Sequence, residues 1–144
     1  MSLPQLKDLI YLIAPTIAWV SSQIIKYILF LRKNGLQMRD LFQSGGLPSA
    51  HVAFFSALTA TIGLNDGFYS PVFALSICVT SVVLYDAMSV RMATGQQTRA
   101  LMVLYKKLDT KMPKIANAEG HTLIEVISGL LVGVIVAVVL TKTL

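Results

Sequence analysis

The chain has two histidines, and both stand in settings where an imidazole could do chemistry. The first closes the stretch Ser44-Gly45-Gly46-Leu47-Pro48-Ser49-Ala50-His51. Its two glycines free the backbone, Pro48 suits the first turn of a helix, and the apolar run from Val52 to Leu64 marks that helix. First-turn N–H groups lack partners and carry the positive end of the helix dipole, so the backbone of Ser49, Ala50 and His51 is fitted to cradle a phosphate or similar oxyanion. His51 can give or take a proton there. The same stretch also suits plain helix punctuation, with a histidine that only caps or packs. The second histidine, His121, precedes Glu125 by four residues, so the two share a helix face. A carboxylate in that place accepts the Nδ1–H, fixes the tautomer and leaves Nε2 with a free lone pair, which a nucleophilic or metal-binding imidazole needs.

Charges embedded in apolar stretches are the next candidates. Lys26 and Lys33 are two helical turns apart on nearly one face and would present two positive charges to a single anion. For Lys26 a second reading stays open, a lysine snorkelling to the membrane interface. An aspartate in a membrane helix is costly unless paired, so Asp86 is expected to contact a cation such as Lys26 or Arg91.

The elements that must position these groups are membrane helices. Hydrophobic residues make up 55% of 144 and charged ones 13%, against roughly a quarter charged in soluble domains. Mean hydropathy is +0.70. One membrane-embedded domain over residues 1–144 is expected. The first apolar stretch is too long and too polar inside to read as a signal peptide. The single Cys78 excludes a disulfide framework or a cysteine metal site within one chain, and fits a packed small hydrophobe.

The fold class expected is all-α, an integral membrane bundle of about four transmembrane helices plus one amphipathic surface helix. The spans fall at about residues 10–31, 48–64, 71–91 and 120–141. At about 26 Å, the second would either thin the bilayer or be surrounded by protein. In the first, Ser21, Ser22, Gln23 and Lys26 should face the bundle interior or a watery cavity. Between the third and fourth, Leu101, Leu104, Tyr105 and Leu108 recur at helical spacing opposite Arg99, Lys106 and Lys107. That pattern suits a basic helix lying on the membrane, or one packed on a soluble partner. Gly129 and Gly133 let a neighbouring helix approach closely, either inside the monomer or across a homodimer.

Four spans bring Lys26, the 44–51 loop, Asp86, Arg91, His121 and Glu125 to one face of the membrane. Most lysines and arginines share that face, so by the positive-inside rule it is expected to be cytoplasmic, or stromal in a plastid, with both termini on the opposite side. A net charge of +5 suits a surface that meets anionic lipid headgroups. The partners expected are a phosphorylated lipid and membrane lipids, with no nucleic acid.

Taken in order, Pro48-Ser49-Ala50-His51, then Ser89 and Arg91, then His121-x-x-x-Glu125 with Gly129 and Gly133 resemble the three-part signature of the type 2 phosphatidic acid phosphatase superfamily. Ser44-Gly45-Gly46-Leu47-Pro48-Ser49, Tyr85-Asp86-Ala87 with Val90-Arg91, and Gly120-His121-Thr122 are similar to its divergent, small membrane branch. That branch is described as related to acid phosphatases and vanadium-dependent haloperoxidases. The resemblance runs from about Trp19 to Gly133.

The resemblance implies hydrolysis of a lipid phosphate or diphosphate through a phosphohistidine, with no cofactor and no metal. His121 would attack phosphorus, Glu125 would orient it, and His51 would protonate the departing oxygen. Lys26, Arg91 and the N–H groups around Ser49 and Ala50 would bind the phosphate oxygens. Asp86, Gly46 and Lys33 would support them. The chain departs from the pattern in carrying Ala50 where a glycine is usual, Glu125 where an aspartate is usual, and Lys33-Asn34 where arginine and proline are usual. Arg91 also stands 30 residues before His121. A competing class is a membrane protein that only binds phosphorylated lipid headgroups, as a scaffold would.

Overall fold

The computed structural model describes residues 9–34, 46–110 and 120–143. They form α1 (Ile10–Asn34), α2 (Ala50–Asp66), α3 (Pro71–Tyr85), a single π-turn (Asp86–Val90), α4 (Arg91–Lys107) and α5 (Leu123–Thr143). Local chemistry sets several of these limits. Ser70 caps α3, its Oγ accepting the Phe73 N–H at 3.2 Å, with Pro71 as the first helical residue. Gly67, at φ 90°, closes α2 in a conformation that suits glycine. α2 itself starts at Ala50 with Ser49 as its cap, two residues later than expected, and Pro48 lies buried just ahead of it.

Three helices are long and apolar enough to cross a membrane: Ile10–Arg32, Pro71–Lys107 and Leu123–Thr143. α2 has only 17 residues, about 26 Å at the usual rise. Of the two fates open to so short a helix, it takes enclosure: α5, α1 and α3 all pack on it. Lipid offers no hydrophobic drive for helices to associate, so contact has to come from close approach between small residues. Ala14, Ala18 and Ser22 are fully buried at four-residue spacing on α1. Ala18 meets Ala53 and Ala57 of α2, and Val132 and Val136 of α5 lean on the same cluster. Leu12, Ile24, Leu75, Ile124 and Ile135 point outward and are exposed, as lipid-facing side chains are.

Gly129 and Gly133 seat α5 on α2. A Cβ at Gly129 would run into the Ser49 carbonyl, and one at Gly133 into Ser56 Oγ and the Ala53 carbonyl. Of the two neighbours expected for these glycines, the one found is α2 of the same chain. The expected amphipathic helix is found as α4, but it is not a separate element. Thr94-Gly95 does not break the chain, and α3, the π-turn and α4 run on as one helix of 37 residues. A lone glycine costs a helix only about 1 kcal/mol, and the Thr94 and Thr98 hydroxyls turn back to the carbonyls of Val90 and Thr94, each at 3.0 Å. The resulting rod is about 55 Å long, well beyond the ~30 Å of hydrocarbon. Regular structure among the described residues is entirely helical.

Candidate active site

α5 begins one residue after Thr122, which with Glu125 forms a capping box: the Thr122 N–H donates to Glu125 Oε2 at 3.0 Å and the Glu125 N–H to Thr122 Oγ1 at 3.4 Å. His121 therefore precedes the helix instead of opening it, and its contact with Glu125 is not the same-face helical pair expected. The carboxylate folds back over the helix start, and Nδ1–H of His121 donates to the same Oε2 at 2.9 Å. A carboxylate can only accept, so Nε2 is the nitrogen left with a lone pair. The His121 side chain is 4% exposed and that of Glu125 18%. The ring is held by packing as well as by its bond.

The backbone of His121 is anchored too, its N–H donating to the Ala87 carbonyl at 3.0 Å. Ala87 lies in the π-turn, where bonding shifts from four residues to five, and the Arg91 N–H reaches the Asp86 carbonyl. In an ordinary α-helix, residues five apart point about 140° away from each other. The wider turn stacks Arg91 over Asp86, and Arg91 Nε donates to Asp86 Oδ2 at 3.0 Å. Of the two cations expected for Asp86, Arg91 is the one it binds. Engagement through Nε leaves the two terminal guanidinium nitrogens for another acceptor.

His51, Asp86, Arg91 and His121 line one cleft of about 340 Å³, walled on its apolar side by Phe55, Val82, Val83 and Ala87. His51 stands exposed in the first turn of α2. Both imidazoles thus face one small space beside a guanidinium.

The remaining candidates lie around this cleft or outside it. The Ser49 N–H is not free to bind an anion as expected: it donates to the Glu125 carbonyl at 2.9 Å, while the Oγ of this fully buried residue has no hydrogen-bond partner among the described residues. That bond ties the start of α2 to the first turn of α5. The backbone cradle is reduced to the first-turn N–H groups of Ala50 and His51, which no i−4 carbonyl serves. Lys26 is not among the cleft-lining residues. Its side chain runs along Gly46, whose ideal Cβ would stand 3.5 Å from it, and its charge is felt by both Glu125 and His51. Ser22, one turn earlier on α1, is fully buried, as an inward-facing polar residue. Lys33 falls in the last turn of α1, but its side chain lies outside the described residues, as do Ser44 and Gly45. Ser89 is exposed in the π-turn.

Three contributors escape a reading by residue type. Thr122 was signalled by the spacing Thr-x-x-Glu, a capping pattern visible in the sequence. Ala87 contributes a backbone carbonyl, for which a sequence carries no mark. Gly120 lets the segment before α5 lie against the backbone of Met92, where a Cβ would be 2.5 Å from the amide nitrogen.

Residues 8–136 match the Divergent PAP2 family. The uncharacterized membrane protein YuiD of Bacillus subtilis (strain 168) is 30% identical over 145 residues, covering 90% of this chain and 92% of its own length. No solved structure matches.

Proposed function

Because this chain is a membrane protein belonging to the Divergent PAP2 family, we propose that it hydrolyses a lipid phosphate or diphosphate without a metal, through a phosphohistidine on His121. The observation that carries this reading is His121, tied through Nδ1 to Glu125 at 2.9 Å and lining one cleft with His51 and Arg91. In the first step Nε2 of His121 forms a bond to phosphorus while the P–O bond to the lipid breaks. The departing oxygen takes a proton from His51. Glu125 stabilises the positive charge that builds on the His121 ring. Arg91, held by Asp86, and the Ala50 and His51 N–H groups bind the equatorial oxygens, whose charge is the part that electrostatic stabilisation serves best. In the second step water attacks phosphorus, His51 takes its proton, and the N–P bond breaks to release phosphate. Lys26, close to Glu125 and His51 but off the cleft wall, acts through the local field. By the positive-inside rule the cleft faces the cytoplasm.

The test is phosphate release from a panel of lipid mono- and diphosphates by the purified protein, with wild type and His121→Ala side by side. Release by the wild type, none by the variant, inhibition by vanadate and indifference to a chelator are expected. Equal release by both proteins would overturn the nucleophile, and loss on chelation would overturn the metal-independent route. One observation favours a second reading: with Ser49 N–H spent and Lys26 off the wall, Arg91 is, among the described residues, the single lysine or arginine lining the cleft. Tight headgroup binding with no release from any lipid would assign the site to a non-catalytic binder.

A further inference from the structure

Several helical hydroxyls in this chain turn to a carbonyl three or four residues back: Thr16, Ser81 and Ser128 do so at 2.7, 2.8 and 2.9 Å. Where Thr59 of α2 and Thr80 of α3 face each other, their hydroxyls pair at 2.8 Å. Ser22 of α1 and Ser49 at the start of α2 do neither. Both residues are fully buried, and neither Oγ has a hydrogen-bond partner among the described residues. Ser49 even forgoes the bond that a serine in its place usually accepts from the first turn of its own helix.

The packing of α1 on α2 sets these two serines against each other. Ala18, Ser22 and Lys26 follow at four-residue spacing on one stripe of α1. Ala18 packs on Ala53 and Ala57, and the Lys26 side chain runs along Gly46, where an ideal Cβ would stand 3.5 Å from its Cγ and Cδ. Ser22 lies midway between Ala18 and Lys26, and Ser49 lies between Ala53 and Gly46, so the antiparallel run of the two segments brings Ser22 to Ser49. α5 closes the third side: the Ser49 N–H donates to the Glu125 carbonyl at 2.9 Å, and a Cβ on Gly129 would run into the Ser49 carbonyl. A charge completes the group. Helical side chains lean toward the N-terminus of their helix, so Lys26 leans back over the turn that carries Ser22. No hydrogen bond or ion pair engages its ammonium among the described residues, and its charge is felt by Glu125.

We propose that Ser22 and Ser49 hold an internal water between α1 and α2, and that this water anchors the Lys26 ammonium beside Glu125, off the cleft wall. A buried hydroxyl without a partner is costly, and one water between two of them removes both costs. A hydroxyl donates and accepts, as water does, so each serine can serve it in either direction. A buried water makes about three hydrogen bonds, and two hydroxyls with one ammonium supply them. A metal cation in the same place would meet the charge of Lys26. Ser22 does not line the cleft, and its role is that of a positioning residue for Lys26. The water stands on the packing of α1 against α2, independently of the reaction assigned to the cleft.

The experiment uses the full chain as wild type, Ser22→Ala, Ser49→Ala and Thr61→Ala. Thr61 is the control, because its hydroxyl is equally buried and unpartnered but lies about 18 Å further along α2. Crystals grown from a lipid phase should show, in wild type and Thr61→Ala, a water peak about 3 Å from both serine Oγ atoms and from Lys26 Nζ. Either serine variant should lose the peak. Loss of the water should also free the ammonium. An amine-reactive reagent, read by peptide mass spectrometry, should then label Lys26 about tenfold faster in both serine variants, the scale of one lost hydrogen bond to a charged group. Serine hydroxyls bonded directly to each other or to carbonyls, with no peak between them, overturn the proposal from the wild-type structure alone, whatever the variants do on folding. Labelling of Lys26 that the serine variants leave unchanged overturns the anchor, as does labelling that rises equally in Thr61→Ala. If the peak is present while no lipid is hydrolysed, the water stands and the hydrolase falls. If wild type releases phosphate through His121 and no peak is seen, the water falls and the hydrolase stands.

Discussion

The starts of α5 and α2 each bring a histidine to the same cleft, and they hold it in opposite ways. At α5, His121 is fixed by a backbone bond to Ala87, a side-chain bond to Glu125 and near-complete burial. At α2, His51 is exposed, and no hydrogen bond fixes its ring among the described residues. A nucleophile gains from being held on one line of attack. A group that protonates a leaving oxygen and then takes a proton from water gains from reaching both. Under the proposed mechanism the contrast matches the two roles, a fixed nucleophile and a mobile acid and base.

The largest effect should come from the fixed ring. His121→Ala is expected to lower turnover by about 10⁴-fold or more, the scale for loss of a nucleophile, with little change in thermal unfolding; comparable turnover would erase the contrast. His51→Ala should cost about 10³-fold with lipid phosphates. With an aryl phosphate, whose leaving oxygen needs no proton, it should cost far less. Equal losses on both substrates would show that His51 is not the acid. Glu125→Gln keeps an acceptor for the Thr122 N–H but removes the charge that fixes the His121 tautomer. A smaller loss than for either histidine is expected, since an orienting carboxylate costs less to remove than the groups it serves, and a pH–rate profile of unchanged shape would argue that the carboxylate only packs. Thr122→Ala should have the smallest effect, about 1 kcal/mol of stability from the lost cap, read as a lower unfolding temperature with the catalytic rate changed only a few-fold.

Much of this arrangement was legible in the sequence because membrane helices declare themselves by apolar length and polar interruptions. The span limits near Ile10, Pro71 and Thr141 lie within a few residues of the helices found, and Ser70-Pro71 starts α3 by ordinary capping chemistry. His121 with Glu125 and Asp86 with Arg91 were visible as pairs of residue types at suitable separations. The remainder depended on backbone hydrogen bonding, which residue types do not reveal. Ser49 has the composition of an anion cradle, yet its N–H serves the Glu125 carbonyl. Nothing in Asp86-Ala87-Met88-Ser89-Val90 announces a π-turn, so the union of α3 with α4 was not foreseen. The glycines at 129 and 133 fitted two partners equally well in the sequence, and only the structure shows α2 of the same chain lying against them.

The wide turn at Asp86–Val90 also works as a joint that takes up one extra residue while leaving the angular phase beyond it nearly unchanged. Deleting Ser89 would return that stretch to ordinary helical pitch and leave Asp86 and Arg91 four residues apart, a spacing that stacks them on one helix face. The ion pair and the heading of α4 would both survive. The cost would fall instead on the Ala87 carbonyl, which lies inside the turn and accepts from the His121 N–H.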